Sequence, residues 1–174
     1  MTLLQLAFAA SLLSAQPARV EKTLEAAKTA IASAKFCFLI TVDETGQPRA
    51  RLMEAFAPDE KMVVWFGTNP ATRKVGQIRK NPRVTVAYYD AAGPNTVTMA
   101  GKARVVDAAS EKKKHWRDGW DAFFPGGPEG KNYTVIEFVP EQIEVISNSQ
   151  GVANAPATLL PAILVRSGNG WKVK

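Results

Sequence analysis

The sequence predicts a mainly β domain of the α+β class, a small closed or partly open antiparallel barrel of about six strands with helices over its open ends. Short β-rich runs recur along the chain with turn residues between them. Two helical patterns interrupt that series of strands and a third precedes it. The length, 174 residues, holds one domain of ordinary size.

The elements follow in order. Val20, Leu24, Ala27, Ile31 and Ala34 recur at helical spacing, while Glu21, Lys22, Glu25 and Lys28 take the other face. FCFLITV at 36–42 is a strand, closed by the turn residues Asp43 to Gly46. Arg49 to Phe56 is the returning strand, and Pro58, Asp59 and Glu60 turn the chain into MVVWF at 62–66. A short helix comes next, with Asn69 as N-cap, Pro70 in its first position and Asn81-Pro82 as its stop. RVTVAYY at 83–89 and TVTMAGKARVV at 96–106 both alternate as strands. A helix is expected from about Ala108 to Phe123, with Trp116, Trp120 and Phe123 as a buried aromatic stripe. YTVIEFV at 133–139 and QIEVIS at 142–147 complete the sheet, with Pro140 breaking the pair. ATLLPAILV and GNGWKVK read as a last hairpin or a loosely attached tail.

Composition bounds the chemistry. At 46% apolar and 22% charged residues, the chain has the balance of a folded protein. The single cysteine, Cys37, excludes an internal disulfide and a thiolate cluster, and the single histidine, His115, excludes two-imidazole zinc and iron sites, so no metal site is expected. His115, following three lysines, reads most simply as an exposed helix residue. The net charge of +6 favours anionic partners without choosing among phosphate groups, nucleic acid and acidic surfaces. The run Lys112 to Lys114 reads as a solvated face, so no nucleic-acid partner is expected.

Residues 1–18 carry no charged side chain, and their apolar run from Leu3 to Ala15 is too short for a stable membrane span. It has the length of a signal-peptide core and is followed by small residues, although no Lys or Arg precedes it. Export to the periplasm is expected if it is a signal peptide, and a cytoplasmic protein if it is an extra apolar helix.

The most informative segment is GTNPATRKVGQIRKNP, where Thr68, Asn69, Thr72, Arg73 and Lys74 gather at a helix N-terminus. Unpaired backbone N–H groups and the positive end of the helix dipole favour an anion there, and hydroxyls and cations complete a phosphate site.

Three motifs in this order, GQPRARLM, WFGTNPATRK and GKARVV, resemble the FMN-binding split-barrel proteins, specifically the pyridoxamine 5'-phosphate oxidase-like branch that includes the general stress proteins. The resemblance covers about Val20 to Ser147 and implies three parts: residues 1–18 outside the domain, a flavin-binding domain over 20–147 and a C-terminal extension over 148–174. It implies FMN as cofactor, with Arg51 and Lys74 on the phosphate and Arg73 and Thr72 beside them. The backbone of Leu52, Met53, Gly67 and Thr68 would line the ring edge, Gly67 allowing close approach, and Thr96 stands where relatives carry a glutamine near the flavin. A homodimer with the flavin at the subunit interface is also implied.

The sequence departs from the true oxidases of the family. Phe56 replaces the lysine expected five residues after Arg51, and Arg166 is followed by Ser167 and Gly168 rather than by an Arg-x-His element. Synthesis of pyridoxal phosphate is therefore not expected, and no catalytic residue is assigned. What remains is an FMN-dependent oxidoreductase working with a small electron donor or acceptor, or a flavin-binding stress or sensor protein without turnover. Haem or nucleic-acid binding is the weaker reading.

Overall fold

The computed structural model describes residues 3–153, 158 and 160–174, with side chains described from residue 16 onward. The side chains of most of the 1–18 segment, and residues 157 and 159 of the expected last hairpin, lie outside the described residues.

Helix α1 runs from Leu3 to Ala34 and passes through Pro17 without ending. Its helical pattern from Val20 onward is the packed part: Ala26, Ala27, Ala30 and Ile31 are buried, and Val20, Leu24 and Ala34 pack at the edge of the same core. The helix ends at Lys35, which takes a left-handed φ of 62°, the conformation a helix C-terminus usually gives to glycine.

Among the described residues, eight strands form one open antiparallel sheet: β1 (Phe36–Val42), β2 (Pro48–Glu54), β3 (Val64–Thr68), β4 (Arg83–Asp90), β5 (Asn95–Val106), β6 (Thr134–Ile146), β7 (Ala162–Ser167) and β8 (Gly170–Val173). Their order is β2-β1-β4-β5-β6-β7-β8, with β3 paired to the first half of β6 on the same edge that β7 takes further along. The strands expected from the sequence are present, and the C-terminal hairpin β7–β8 extends the same sheet. The first hairpin is fixed by Asp43, whose carboxylate accepts from the Thr45 and Gln47 backbone N–H groups at 2.9 and 3.0 Å and from Arg49 at 2.7 Å. The Thr45 hydroxyl, which also donates to Asp43 at 2.7 Å, and then Arg49 hold the Asp43 carboxyl well below its usual range.

β5 and β6 are long because each serves two halves of the molecule. The first half of β5 pairs with β4 and with the end of β6, which carries β7; the second half pairs with the start of β6, which carries β3. Pro140 does not break β6, contrary to the sequence expectation. Register passes from Ala100↔Gln142 to Gly101↔Pro140, so Glu141 is the extra residue of a bulge. Gly101 makes this possible: a Cβ there would lie 2.2 Å from the Val139 carbonyl oxygen.

Two helices differ from expectation. Helix α2 covers Arg73–Lys80 rather than starting at Pro70. The Asn69 carbonyl accepts from the Thr72 N–H at 3.1 Å and the Asn69 side chain takes the Ala71 N–H at 2.8 Å, which closes a turn ahead of the helix. The expected helix over 108–123 is only α3, Ala109–Lys114, followed by short 3-10 turns at Trp120–Ala122 and Gly127–Glu129. His115 leaves helical geometry, its carbonyl accepts from the Tyr133 hydroxyl rather than from the next turn, and Gly119 takes a φ of 83°. The aromatic cluster consequently uses Trp116, Trp120 and Phe124 around buried Tyr133, while Phe123 is 75% exposed. The main core lies between α1 and the inner face of the sheet, and this aromatic cluster forms a second core under β3 and β6.

Candidate functional site

Alternation along β1 and β2 sets which side chains face inward. Arg51 pairs with buried Leu39 and shares its face, so its guanidinium runs under the sheet end toward α2. It donates to the Thr41 hydroxyl at 2.8 Å and to the Gln77 side-chain oxygen at 3.1 Å. Thr41 in turn donates to Gln77 at 2.6 Å. At the head of α2, the Lys74 ammonium donates to the hydroxyls of Thr68 and Thr72 at 2.9 and 3.2 Å.

Arg51, Arg73 and Lys74 thus converge, and among the described residues none of them forms an ion pair. Partial burial, and then the charge of Arg73, lower the pKa of Arg51; partial burial, and then the charge of Arg51, lower that of Lys74. Three cations held together with no counter-charge make a preformed anion cradle, with hydroxyls at Thr68 and Thr72 as further donors. Beside it, between the first hairpin and α2, opens a cleft of about 480 Å³ lined by Arg49, Arg73, Gly76, Gln77 and Lys80.

Of the sequence-derived residues, Arg51, Thr68, Thr72, Arg73 and Lys74 come together. Thr41 and Gln77 belong with them and escaped sequence reading; the one signal was that Gln77 stands one helical turn beyond Arg73. Met53 packs at the core edge and Leu52 points outward, 59% exposed. At Gly67 the side where a Cβ would stand is occupied by the Trp120 ring, 2.3 Å away, which leaves the backbone edge of β3 as its other surface. Thr96 is not brought to the cradle. It is the second residue of β5, paired with Tyr89 and Ile146, on the partly exposed face of the sheet.

His115 corrects the sequence reading, being 7% exposed rather than on a solvated face. Its ring stacks on Trp65 with centroids 4.2 Å apart and meets Phe56 edge-on at 5.1 Å. Its Nδ1 lies 3.0 Å from the Glu111 carbonyl. The packing of α3 against β6 turns this ring inward, which a three-lysine neighbourhood concealed.

The outward face of β1, β2 and β4 is apolar: Phe36, Phe38, Leu52 and Tyr89 are each 45–59% exposed. Phe38 and Leu52 are direct cross-strand partners. No helix among the described residues is long and apolar enough to cross a membrane.

Comparison with known proteins agrees with this fold. Residues 23–147 match the model of the family described as pyridoxamine 5'-phosphate oxidase. General stress protein 26 of Bacillus subtilis is 30% identical over 112 residues, covering 63% of this chain and 77% of that protein. Among solved structures, a Clostridium acetobutylicum protein related to general stress protein 26 superposes with a TM-score of 0.66 at 24% identity, covering 74% of this chain and 90% of that one. A pyridoxamine 5'-phosphate oxidase-related, FMN binding protein from Nostoc punctiforme gives 0.60 at 17% identity, over 84% and 89%. The matched span runs from the packed part of α1 through the cation cradle to the end of β6, and on that span the chain belongs to the pyridoxamine 5'-phosphate oxidase family.

Proposed function

We propose that this chain is a homodimeric FMN-binding flavoprotein whose phosphate site is the cradle of Arg51, Arg73 and Lys74. The observation that carries the reading is the convergence of these three cations, none of which forms an ion pair among the described residues. A phosphate monoester supplies the missing charge, arginine suits bidentate contact, and the Thr68 and Thr72 hydroxyls stand ready as donors. The FMN binding of the Nostoc punctiforme structure, though that likeness speaks only for the fold, points the same way.

The residues that would hold FMN are these five, with the backbone of Leu52, Met53, Gly67 and Thr68 along the ring edge. FMN supplies one- and two-electron redox chemistry when bound. The chain's own part is to bind the phosphate, orient the ring and limit its access to water. The flavin-binding unit is residues 20–147. Thr96 stands apart from the cradle within one subunit, so it joins the site only across a subunit boundary, and the apolar face of Phe36, Phe38, Leu52 and Tyr89 is the surface through which a second copy docks. Phe56 packs against His115 and Trp120 where the oxidases' lysine is absent, which argues against pyridoxal phosphate as product. The reaction proposed is electron transfer between a reduced nicotinamide or similar donor and a small oxidised acceptor.

The test is the visible spectrum of the protein purified from a flavin-replete host. Flavin bands are expected in the parent and lost in Arg51→Ala and Lys74→Ala; a colourless protein that does not take up added FMN overturns the proposal. Bleaching of the bands by NADH or NADPH, with reoxidation by a specific acceptor, separates an enzyme from a flavin-binding protein without turnover.

A further inference from the structure

The clamp on Arg51 is built from neutral groups. The guanidinium donates to the Thr41 hydroxyl at 2.8 Å and to Gln77 Oε1 at 3.1 Å, and the Thr41 hydroxyl donates to the same Oε1 at 2.6 Å. Oε1 therefore accepts twice, which fills both of its lone pairs and fixes the orientation of the amide, since a flipped amide would set N–H against N–H. The amide nitrogen donates to no group among the described residues. Gln77 uses only its oxygen.

A carboxylate at position 77 would accept the same two hydrogen bonds and hold Arg51 more strongly than an amide does. For the stability of the chain alone, glutamate is the better residue there. What the amide offers instead is neutrality. The rest of α2 agrees: its sequence RKVGQIRK holds no acidic residue, although the first turn of a helix favours one. Asp43 and Glu44, which line the cleft beside Gln77, are committed elsewhere, Asp43 to Arg49 at 2.7 Å and Glu44 to Lys80. The Arg51 guanidinium is thus fixed in place with its charge free for a group from outside the chain.

We propose that Gln77 is the positioning residue that makes the cradle selective for a doubly charged phosphate group, orienting Arg51 while leaving the full positive charge of the cradle to the ligand. The identity of that ligand as FMN rests on the reading above; the dependence on its charge rests on the clamp. Gln77 acts through Arg51, so its effect falls on ligands that carry the phosphate and spares those without it.

The test titrates the full-length parent, Gln77→Glu and Gln77→Met with FMN, with riboflavin, which has the same ring without the phosphate, and with inorganic phosphate. Gln77→Glu keeps both accepted hydrogen bonds, gives up a donor that has no partner and otherwise changes only the charge. At neutral pH it is expected to melt no lower than the parent, yet to bind FMN and phosphate about tenfold more weakly. Its riboflavin affinity is expected to match the parent's. Gln77→Met, neutral but without the oxygen, is expected to lose about threefold on FMN. A merely structural role would weaken FMN and riboflavin alike. The proposal is overturned if Gln77→Glu binds FMN and phosphate as the parent does, or loses riboflavin affinity to the same degree. A parent that binds phosphate but neither flavin overturns the flavin reading alone, and the phosphate affinity of Gln77→Glu then upholds or overturns the proposal. A parent that binds neither FMN nor phosphate overturns both.

Discussion

Arg51 and Lys74 were legible in the sequence because the segment around each carries its own local signal, a strand return and a helix start. Thr41 and Gln77 were not, because what recruits them is the seating of α2 against β1, a contact between segments 36 residues apart. His115 was misjudged for the same reason: its local neighbours are lysines, but its packing partners, Trp65 and Phe56, arrive from another part of the chain. At this scale the cradle carries a stability cost. Arg73 is exposed and contributes repulsion to Arg51, so Arg73→Gln is expected to raise the stability of the flavin-free protein by about 0.5 kcal/mol while weakening FMN binding. Thermal melts with and without FMN check both signs. Cys37 offers a pH prediction. Burial pushes its thiol up to about 12, whereas an unfolded cysteine titrates near about 8.5. Above that value the unfolded chain releases a proton that the folded chain keeps, so stability falls as pH rises. Between about pH 8.5 and 10, below the ordinary tyrosine range, Cys37→Ala should flatten this slope in urea unfolding midpoints.

The elements follow periodicity where one face is buried and depart from it where a single residue redirects the chain. The α1 pattern and the alternation of β4 and β5 translate directly into burial. The helix expected over 108–123 stops early because Tyr133, distant in sequence, takes the His115 carbonyl, and Gly119 adopts a backbone conformation that ends the pattern. Pro140 reads locally as a strand breaker, yet β6 continues, because the accommodation is made on β5 by Gly101 and on β6 by the extra residue Glu141. That makes Gly101 the sensitive position. Gly101→Ala places a methyl against the Val139 carbonyl and the Pro140 Cα, both backbone atoms, and is expected to cost about 2–3 kcal/mol. Chemical denaturation measures it, with Gly76→Ala, which has open space at its Cβ position, as the comparison expected to be neutral or stabilising.

For the whole molecule, the outward apolar face of β1, β2 and β4 was not read from the sequence: Phe36, Phe38 and Leu52 stand where a solvated sheet carries polar residues, and the pairing of β1 with β2 and β4 is what gathers them on one side. Leu52→Glu is expected to give a monomer by light scattering and to lose flavin with it, since the proposed ring edge and the proposed docking face meet at that residue. A dimer that persists in Leu52→Glu would assign the interface elsewhere. The sharing of β5 and β6 between the two halves has a consequence for motion. Neither half can open alone, because releasing either one removes one side of the ladder from the strands that the other half also needs. Amide protons in the middle of β5 and β6 should therefore exchange with solvent only when the entire domain opens, all at one common slow rate. The cation cradle, anchored to that unopened frame, then keeps its shape for as long as the protein stays folded.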